Sequence, residues 1–388
     1  MNKDIKVIHI ITRLDKGGSS ENTLHTCIGL RKKGFNVKII YGRTINENTN
    51  LIEEAKQEGV NFIYLKYLVR DIHPFLDLLS LIKLYILLRK EKPQIVHLHS
   101  SKAGVLGRLC CFLLKVPIVI YSPHGHVFYG YFNKFFTKVI IYAEKILSCL
   151  CDMIILLTSQ SRFEWVYVFK IAPLHKTFVV PSGLDLERMK VSGNMEELRR
   201  KFGFPINKII VGNCSRFVPI KGQKFILEAV PFVVNKRKDV LFVIAGEGPL
   251  EEDLKKIVER LKIHNYVKFL PWQENPSEFI KSLDIFVHYP LNEGMGRVLI
   301  EAFYQERLVI ASNVGGIPSL VDTNTGFLVE PQNPYKLADI ILYAINHKDR
   351  LRYKIQEAKK RVLFFTKEMM IKRTLYVYKY LLRRKNIL

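Results

Sequence analysis

Two acidic side chains and two glycines lie close together in the stretch Asn292–Phe303, which reads NEGMGRVLIEAF. Glu293 lies in a short loop, a glycine stands on each side of Met295, and an apolar helical pattern begins at Val298 and carries Glu301. Glycines let backbone N–H groups approach a ligand closely, and a helix N-terminus favours an anion such as a diphosphate. The two carboxylates suit hydroxyl groups beside that phosphate, as on a ribose and a hexose. An alternative is a surface helix with one glutamate at its N-terminus and another on its solvated face.

A second candidate site is the basic loop SRFVPIKG, in which Arg216 and Lys221 stand five residues apart. The loop follows the strand-like run Lys208–Asn213, so both cations lie beyond the carboxyl end of a predicted strand. Arginine could bind a diphosphate through two hydrogen bonds and lysine as a point charge. A solvated loop is the alternative in a chain with 60 basic residues. A third loop, AGEGP at Ala245–Pro249, also joins a predicted strand to a helix, which alone is a weak signal.

Three histidines follow predicted strands in the first half of the chain. His99 comes directly after the run Ile95–Leu98, and His124 and His126 come after Val116–Ser122. Ligands on parallel sheets bind beyond the carboxyl ends of the strands, so these side chains are candidates for contact with a substrate. A hydrogen-bonded structural role is the alternative for each of them.

Strand-like and helix-like runs alternate along the chain, beginning with IKVIHIIT at residues 5–12. Such alternation predicts α/β architecture with parallel, doubly wound sheets. We predict an amino-terminal Rossmann-like domain at 1–180, a polar linker at 181–206, a second Rossmann-like domain at 207–363 and a helix at 364–388.

The net charge of +24 implies an anionic partner, which could be nucleic acid, acidic membrane lipid or phosphorylated small molecules. The sequence shows no RNA-binding signature, zinc finger or basic helix-turn-helix pattern, which favours an anionic membrane surface over nucleic acid. The segment VFYGYFNKFFTKVIIYAEKILSCL, at 127–150, combines aromatic residues with lysines and predicts one or two amphipathic helices. These helices could lie at a lipid interface or in the core.

The location that we predict is cytoplasmic. No apolar run is long enough to span a bilayer, no signal-peptide layout opens the chain, and the six cysteines form no C-x-x-C pair. With the basic charge, these features indicate a peripheral protein at the cytoplasmic face of the inner membrane.

In their order and spacing, the motifs of this chain resemble those of the retaining glycosyltransferases of family 4. These enzymes have GT-B architecture, in which two Rossmann-like domains face a central cleft, and they include enzymes of capsular, exopolysaccharide and lipopolysaccharide synthesis. The resemblance runs nearly end to end and rests on Gly17–Gly18, VHLHSSKAG at Val96–Gly104, PHGH at Pro123–His126, PSGLD at Pro181–Asp185, SRFVPIKG, AGEGP, the two glutamates and VGGIP at Val314–Pro318.

The resemblance also implies that the first domain binds the acceptor, that the second binds the nucleotide-sugar and that the helix at 364–388 returns to the first domain. It further implies roles for individual residues. Arg216 and Lys221 would hold the diphosphate of a nucleotide-sugar, Glu301 its ribose and Glu293 the hydroxyl groups of the donor sugar, while His124 would lie over the reaction centre. Catalytic roles therefore fall on His124, Glu293, Arg216 and Lys221. The other donor-binding positions are Gly18, Gly246, Gly294, Met295, Gly296, Arg297 and Val298, and the candidates for acceptor binding are His99 and His126. Neither a metal nor another cofactor is expected, because no Asp-x-Asp motif is present.

These features together predict a metal-independent hexosyltransferase. It would move a hexose or N-acetylhexosamine from a nucleotide-sugar, with UDP as the favoured nucleotide, to a lipid-linked acceptor in surface polysaccharide synthesis. A nucleotide-sugar epimerase or hydrolase of the same fold is an alternative that would turn over without an acceptor. A basic nucleic-acid-binding protein is another, and it would bind duplex or RNA in a salt-sensitive way.

Overall fold

The computed structural model describes residues 5–125, 128–129 and 132–388. The chain divides into two compact units: unit 1 contains Met1–Leu184 and Phe365–Leu388, and unit 2 contains Asp185–Phe364. The carboxy-terminal helix therefore belongs to the same unit as the amino-terminal sheet. Within the described ranges, no helix is both long and apolar enough to cross a bilayer.

Unit 1 is built on a parallel sheet. Its described strands are β1 (Lys6–Ile11), β2 (Asn36–Tyr41), β3 (Asn61–Tyr64), β4 (Ile95–His99), β5 (Ile118–Ser122), β6 (Met153–Leu156) and β7 (Thr177–Val179). They follow one another across the sheet in the order β3-β2-β1-β4-β5-β6-β7. The central strands are buried on both faces, which explains their nearly continuous runs of branched apolar residues.

Helices cover both faces of this sheet. They are α1 (Gly18–Lys32), α2 (Thr49–Gln57), α3 (Pro74–Glu91), α4 (Ser101–Leu113), α5 (Lys134–Ser148), α6 (Ser159–Phe163) and, at the end of the chain, α14 (Lys367–Arg384). Val7 of β1 packs in one apolar cluster with Leu381 of α14, whereas Ile8 packs in another with Leu84 of α3. Because neighbouring residues of a strand point to opposite faces, the two clusters lie on opposite faces of the sheet.

Unit 2 is built on a second parallel sheet. Its described strands are β8 (Ile209–Cys214), β9 (Val240–Ala245), β10 (Val267–Leu270), β11 (Ile285–His288), β12 (Leu308–Ser312) and β13 (Phe327–Val329), in the order β10-β9-β8-β11-β12-β13. Its helices are α7 (Met195–Phe202), α8 (Gln223–Lys236), α9 (Glu251–Arg260), α10 (Pro276–Lys281), α11 (Arg297–Tyr304), α12 (Pro334–Asn346) and α13 (Arg352–Arg361). Val230 of α8 and Ile341 of α12 pack with strand residues in one apolar core.

Each sheet reverses its strand order at one place. The reversal lies between β1 and β4 in unit 1 and between β8 and β11 in unit 2. Open parallel sheets bind ligands beyond the carboxyl ends of the strands at such a position. The predicted doubly wound α/β class is confirmed, and the candidate residues follow the strands at or beside the two reversals.

The segment 181–206 differs from the polar linker that we predicted. Unit 2 begins inside it, at Asp185, and the segment contains helix α7. Asn194 and Glu197 cap this helix reciprocally, each side chain accepting a hydrogen bond from the other residue's backbone N–H. The helix carries only three apolar residues, Met195, Leu198 and Phe202, so the segment is polar on average although it is helical.

Candidate active site

The loops after β8 and β11 meet where the strand order of unit 2 reverses. Lys221, in the loop after β8, places its Nζ 2.5 Å from Oε2 of Glu293, in the loop after β11. His288, the last residue of β11, lies with its Nε2 3.1 Å from the same carboxylate oxygen. A cation, an imidazole and a carboxylate therefore form one cluster at this edge of the sheet.

Glu293 is ionised in this cluster. Burial raises the pKa of its carboxyl group, but the Lys221 ammonium and the hydrogen bond from His288 outweigh burial and hold that pKa below its ordinary value. Burial lowers the pKa of His288 despite the neighbouring carboxylate, so a neutral imidazole donates its Nε2–H to Glu293. The Glu293 side chain is still 18% exposed. It can accept hydrogen bonds from sugar hydroxyl groups and is poorly suited to donate a proton.

Arg216 begins the loop that contains Lys221. Its side chain is exposed, and its guanidinium makes no hydrogen bond or ion pair with the residues that the structure describes. The backbone is fixed, because Gln223 Nε2 donates a hydrogen bond to Arg216 O at 2.7 Å. At Gly222 (φ +68°) a Cβ would lie 2.2 Å from Tyr289 O, so only glycine fits where this loop passes the next one. A fixed backbone with an open guanidinium fits the binding of an anion.

Helix α11 begins directly after the acidic loop. Gly294, the buried Met295 and Gly296 form the turn, and Gly296 adopts the left-handed conformation (φ 81°) as the N-cap. Arg297 and Val298 are the first two helical residues. The structure therefore brings five predicted donor-binding residues together at one helix N-terminus, an arrangement that favours phosphate.

Glu301 lies one turn further along α11. Burial, together with the charge of Glu301, raises the pKa of Cys214 to about 12. Cys214 is the last residue of β8, so the second glutamate lies near the same strand end as the basic loop.

Two glycine-bearing loops pack against the loops that carry the charged residues. Gly316 donates its N–H to Glu293 O at 2.9 Å, and a Cβ at Gly315 (φ +52°) would lie 2.2 Å from that oxygen. Likewise, a Cβ at Gly246 (φ +155°) would lie 2.1 Å from Ser215 O. Gly246 therefore packs closely against the backbone of the basic loop.

In unit 1, His124 lies just beyond β5, at the end of a series of hydrogen-bonded imidazoles. His124 Nε2 lies 2.8 Å from His99 Nδ1, and His99 Nε2 lies 2.8 Å from His9 Nδ1. The prediction that His99 binds the acceptor directly does not fit this geometry, because the residue is buried and both ring nitrogens already have partners. His126 lies outside the described residues. Gly18 is the first residue of α1.

The series continues into the interior of unit 1. His9 Nε2 lies 3.3 Å from the hydroxyl of Tyr378, which lies 2.8 Å from His97 Nδ1, and His97 Nε2 lies 2.8 Å from Ser122 Oγ. Burial lowers the pKa of His9 to about 3 and that of His124 to about 4, and it lowers the pKa values of His97 and His99 well below their ordinary value. All four imidazoles are therefore neutral at physiological pH.

Sequence analysis missed several members of these clusters, and three of them differ in the signal that was available. His288 ends a predicted strand just before the acidic loop, so its position was a usable signal. His9 is a polar residue within an otherwise apolar buried strand, which indicates a buried partner without naming it. Tyr378 gave no signal, because its contact with His97 joins residues 281 positions apart.

Two family models together match most of the chain. The model described as Glycosyltransferase Family 4 matches residues 16–188, and the model described as Glycosyl transferases group 1 matches residues 194–361. This chain is a glycosyltransferase that consists of a family 4 domain followed by a group 1 domain.

Two curated relatives of this glycosyltransferase are bacterial glycosyltransferases. It is 29% identical over 331 residues to the UDP-Gal:alpha-D-GlcNAc-diphosphoundecaprenol alpha-1,3-galactosyltransferase of Escherichia coli, with 84% of each chain covered. It is 28% identical over 324 residues to the capsular polysaccharide biosynthesis glycosyltransferase CapM of Staphylococcus aureus, with 82% of each covered.

Solved structures confirm the GT-B fold of the glycosyltransferase. Anabaena HepE in complex with UDP and glucose gives a TM-score of 0.81 at 19% identity, covering 97% of this chain and 100% of that one. WaaG, a glycosyltransferase of lipopolysaccharide biosynthesis, gives a TM-score of 0.72 at 14% identity, covering 95% and 98%.

Proposed function

We propose that this glycosyltransferase moves a hexose or an N-acetylhexosamine from a UDP-sugar to a lipid-linked acceptor in surface polysaccharide synthesis. The observation that carries the proposal is the cluster of Lys221, Glu293 and His288 beside the N-terminus of α11. It places a cation, helix N–H groups and an ionised carboxylate at one strand reversal. The named donor and lipid diphosphate acceptor of the E. coli relative support the same substrate classes.

The transfer proceeds with retention of configuration and without a metal ion. A UDP-hexose carries its sugar in the α configuration, so an α-linked product, which the name of the E. coli relative specifies, corresponds to retention. Arg216, Lys221 and the first turn of α11 meet the charge of the departing diphosphate. Because these groups are fixed before the reaction, they stabilise developing charge with little reorganisation. Glu293 accepts hydrogen bonds from the donor sugar, Glu301 from the ribose, and His124 contacts the transferred sugar.

A transfer assay tests this assignment. Labelled UDP-galactose, UDP-glucose and UDP-N-acetylglucosamine are offered with a lipid-diphosphate-linked sugar as acceptor, with and without a chelator. Lys221→Ala should lower kcat by roughly 10²–10³-fold. Lys224→Ala is the matched control, because its side chain is exposed and pairs only weakly with Glu228, at 3.7 Å. Transfer at the parent rate by a folded Lys221→Ala variant, or transfer abolished by the chelator, would contradict the proposal.

We further propose that unit 1 docks on an anionic membrane surface through the outer sides of α3, α4 and α5. Helix α5 exposes more apolar surface than an ordinary surface helix. Its most buried side chains are the polar Glu144 and Ser148, and Ile140 and Ile141 pack half-buried against the core, whereas its other large apolar side chains are mostly exposed. Exposed apolar side chains on the three helices are Phe75, Leu78, Ile82, Ile86, Leu109, Phe112, Leu113, Phe135, Phe136, Val139, Tyr142 and Ile146.

The three helices are neighbours on one face of the sheet. Lys102 of α4 pairs with Asp77 of α3 at 2.6 Å, and Arg108 of α4 pairs with Glu144 of α5 at 2.9 Å. Exposed lysines lie among the apolar side chains of α5, at Lys134, Lys138 and Lys145. Exposed apolar side chains with lysines among them fit the boundary between acyl chains and anionic headgroups.

Vesicle sedimentation tests the docking surface. The protein should bind vesicles of phosphatidylglycerol and phosphatidylcholine more tightly than vesicles of phosphatidylcholine alone, and salt should weaken the binding. A Phe135→Asp, Phe136→Asp variant should lose about tenfold or more in affinity, because two aromatic side chains no longer enter the lipid. Tyr335→Asp, at an equally exposed position of α12, serves as the control. Equal binding by both variants would exclude this surface.

A further inference from the structure

An open cleft of about 460 Å³ lies in unit 2 at the carboxy-terminal end of α11. Tyr304, the last residue of that helix, and the three residues after it form part of its lining. The candidate donor loops lie at the other end of the same helix, about 12 Å away at 1.5 Å per residue. The cleft is therefore separate from the candidate active site.

Positive charge predominates in this cleft. Among the described residues that line it, the basic ones are Lys190, Lys281, Arg307 and Lys359, and the acidic one is Glu306. Glu306 is already paired with Lys359, whose Nζ lies 3.5 Å from its Oε1. Lys190 pairs with Glu187 at 2.6 Å, on a side of the cleft where both side chains are exposed. The lining therefore has more positive charge than its one carboxylate neutralises.

Arg307 is a half-buried cation that bonds only to neutral groups. Its Nε donates to Gln305 O at 2.8 Å and its Nη1 to Leu283 O at 2.9 Å. Within the described part of the chain, no carboxylate forms an ion pair with this guanidinium, and its Nη2 makes no hydrogen bond. Two carbonyl groups therefore fix the position of the guanidinium and leave part of its charge and one amino group for a ligand.

Arg108 and Arg199 are more deeply buried, and each has a carboxylate partner. Arg108 bonds both oxygens of Glu144, at 2.9 and 3.0 Å, and Arg199 pairs with Asp284. Burial lowers the pKa of the Arg307 guanidinium, and the nearby Asp284 carboxylate does not offset this effect. A poorly solvated charge is costly unless it has a counter-charge. An anion in the cleft would supply the counter-charge that Arg307 lacks.

Hydrogen bonds hold the walls of the cleft together. The buried Gln305, in the turn after α11, donates from its Nε2 to Met189 O at 2.6 Å. Lys281, the last residue of α10, donates from its Nζ to Val191 O at 3.1 Å. Both contacts tie a helix end to the segment that contains Lys190. The cations are therefore held near one another before any ligand binds, which lowers the entropy that binding costs.

We propose that this cleft binds a small soluble molecule that carries a phosphate monoester or a diphosphate group. A phosphate monoester bears about 1.5 to 2 negative charges at neutral pH and offers several acceptor oxygens, which suits an arginine flanked by lysines. A carboxylate ligand would bring a single charge. A flat bilayer surface would not reach the half-buried Arg307, which favours a ligand that enters the cleft. The inference is independent of the proposed donor site.

Lysine labelling tests the cleft directly in the unmodified full-length protein. The protein is acetylated with an N-hydroxysuccinimide ester at constant ionic strength, with and without inorganic pyrophosphate, and mass spectrometry gives the rate at each lysine. Pyrophosphate at ten times its Kd should slow the labelling of Lys190 and Lys281 about tenfold, because the bound form is protected. The exposed Lys236 of α8 should keep its rate. Lys221 reports on the donor site in the same experiment, so the two sites are judged separately.

A charge-removing variant provides the second measurement. Lys281→Gln keeps a side-chain donor but loses the charge, so the Kd for pyrophosphate, measured from the protection of Lys190, should rise about tenfold. Lys236→Gln is the matched control and should leave that Kd unchanged. Equal labelling of Lys190 and Lys281 with and without pyrophosphate, or an unchanged Kd in Lys281→Gln, would overturn the inference. Protection by phosphatidylglycerol vesicles and not by pyrophosphate would assign the cleft to a membrane lipid and would also overturn it.

Discussion

Among the described residues, the Lys221 ammonium is paired with Glu293, and it would gain a second partner in the proposed reaction. Its ammonium now neutralises Glu293, and a bound diphosphate would share the same positive charge. The neutral His288 also donates a hydrogen bond to Glu293. The carboxylate would therefore keep one partner if the Lys221 ammonium turned towards a bound phosphate. At the scale of residues, Lys221 and His288 keep the Glu293 carboxylate ionised and fix its position.

Replacing Glu293 with Gln should impair transfer far more than folding. The amide has the shape of the carboxylate but lacks its charge, so sugar hydroxyl groups lose a charged acceptor and kcat/KM should fall roughly 10²-fold. The free energy of unfolding should change by about 1 kcal/mol or less, because both partners of the Lys221 pair keep some exposure to water. Glu306→Gln, on the exposed turn after α11, is the control for both measurements.

Acid should destabilise unit 1 before most carboxylates titrate. Burial lowers the pKa of His9 from 6.5 to about 3 and that of His124 to about 4, so unfolding takes up protons below about pH 6.5. Stability is therefore full above pH 6.5 and lost as the pH falls towards 4, by about 1.4 kcal/mol per pH unit for each histidine that stays neutral when folded. Urea unfolding at pH 7.5, 6.5 and 5.5 measures this loss. His9→Asn should flatten the dependence, and equal slopes in the two proteins would contradict the assignment.

At the scale of elements, α4 and α5 are joined by a polar contact where two helices usually share an apolar one. Arg108 binds both carboxylate oxygens of Glu144, at 2.9 and 3.0 Å, and its guanidinium lies 4.1 Å from the centre of the Tyr121 ring. This pair occupies part of the inner side of α5, beside the half-buried Ile140 and Ile141, and five large apolar side chains of the helix remain on the outer side.

Breaking the pair from one side should destabilise unit 1 strongly. Glu144→Ala leaves the fully buried Arg108 without its counter-charge and should cost about 3–5 kcal/mol. Arg108→Met with Glu144→Leu removes both charges and should recover most of that loss. Trp165 is buried in unit 1, and the only other tryptophan is Trp272. Urea unfolding followed by fluorescence in a Trp272→Phe background therefore reports on unit 1, and no recovery in the double variant would contradict the argument.

At the scale of the whole molecule, the two units have separate cores and different expected ligands. Unit 2 contains the candidate nucleotide-sugar site, whereas the exposed apolar helices that we propose for membrane docking belong to unit 1. The net charge of +24 favours anionic partners for both. If the sites are separate, we expect a soluble nucleotide to raise the stability of unit 2 and to leave that of unit 1 unchanged.

UDP should raise the stability of unit 2 in particular. A ligand at 100 times its Kd stabilises the folded state by about 2.7 kcal/mol. Two single-tryptophan variants measure the units in parallel: Trp272 reports on unit 2 in a Trp165→Phe background, and Trp165 reports on unit 1 in the reverse background. A shift with UDP that appears in unit 1 and not in unit 2 would contradict the location of the donor site.

The sequence by itself determined the fold class and most of the strands, and it indicated the loops that we propose for donor binding. Buried strands need continuous apolar runs, loops that approach phosphate need glycine, and both requirements are local, so they are visible in 5–12 and in Gly294–Gly296. The motif order then indicated the family, which the family models confirm.

Only the tertiary structure decided which polar groups meet. The partner of Glu293 depends on the pairing of β8 with β11, and the partner of His97 depends on how α14 packs against the first sheet. His99 was expected to contact the acceptor, but it is buried and hydrogen-bonded to His9 and His124, which the pairing of β4 with its neighbouring strands brings close. Hydrogen-bond partners of buried groups are set by distances across the fold, which composition and spacing along the chain do not encode.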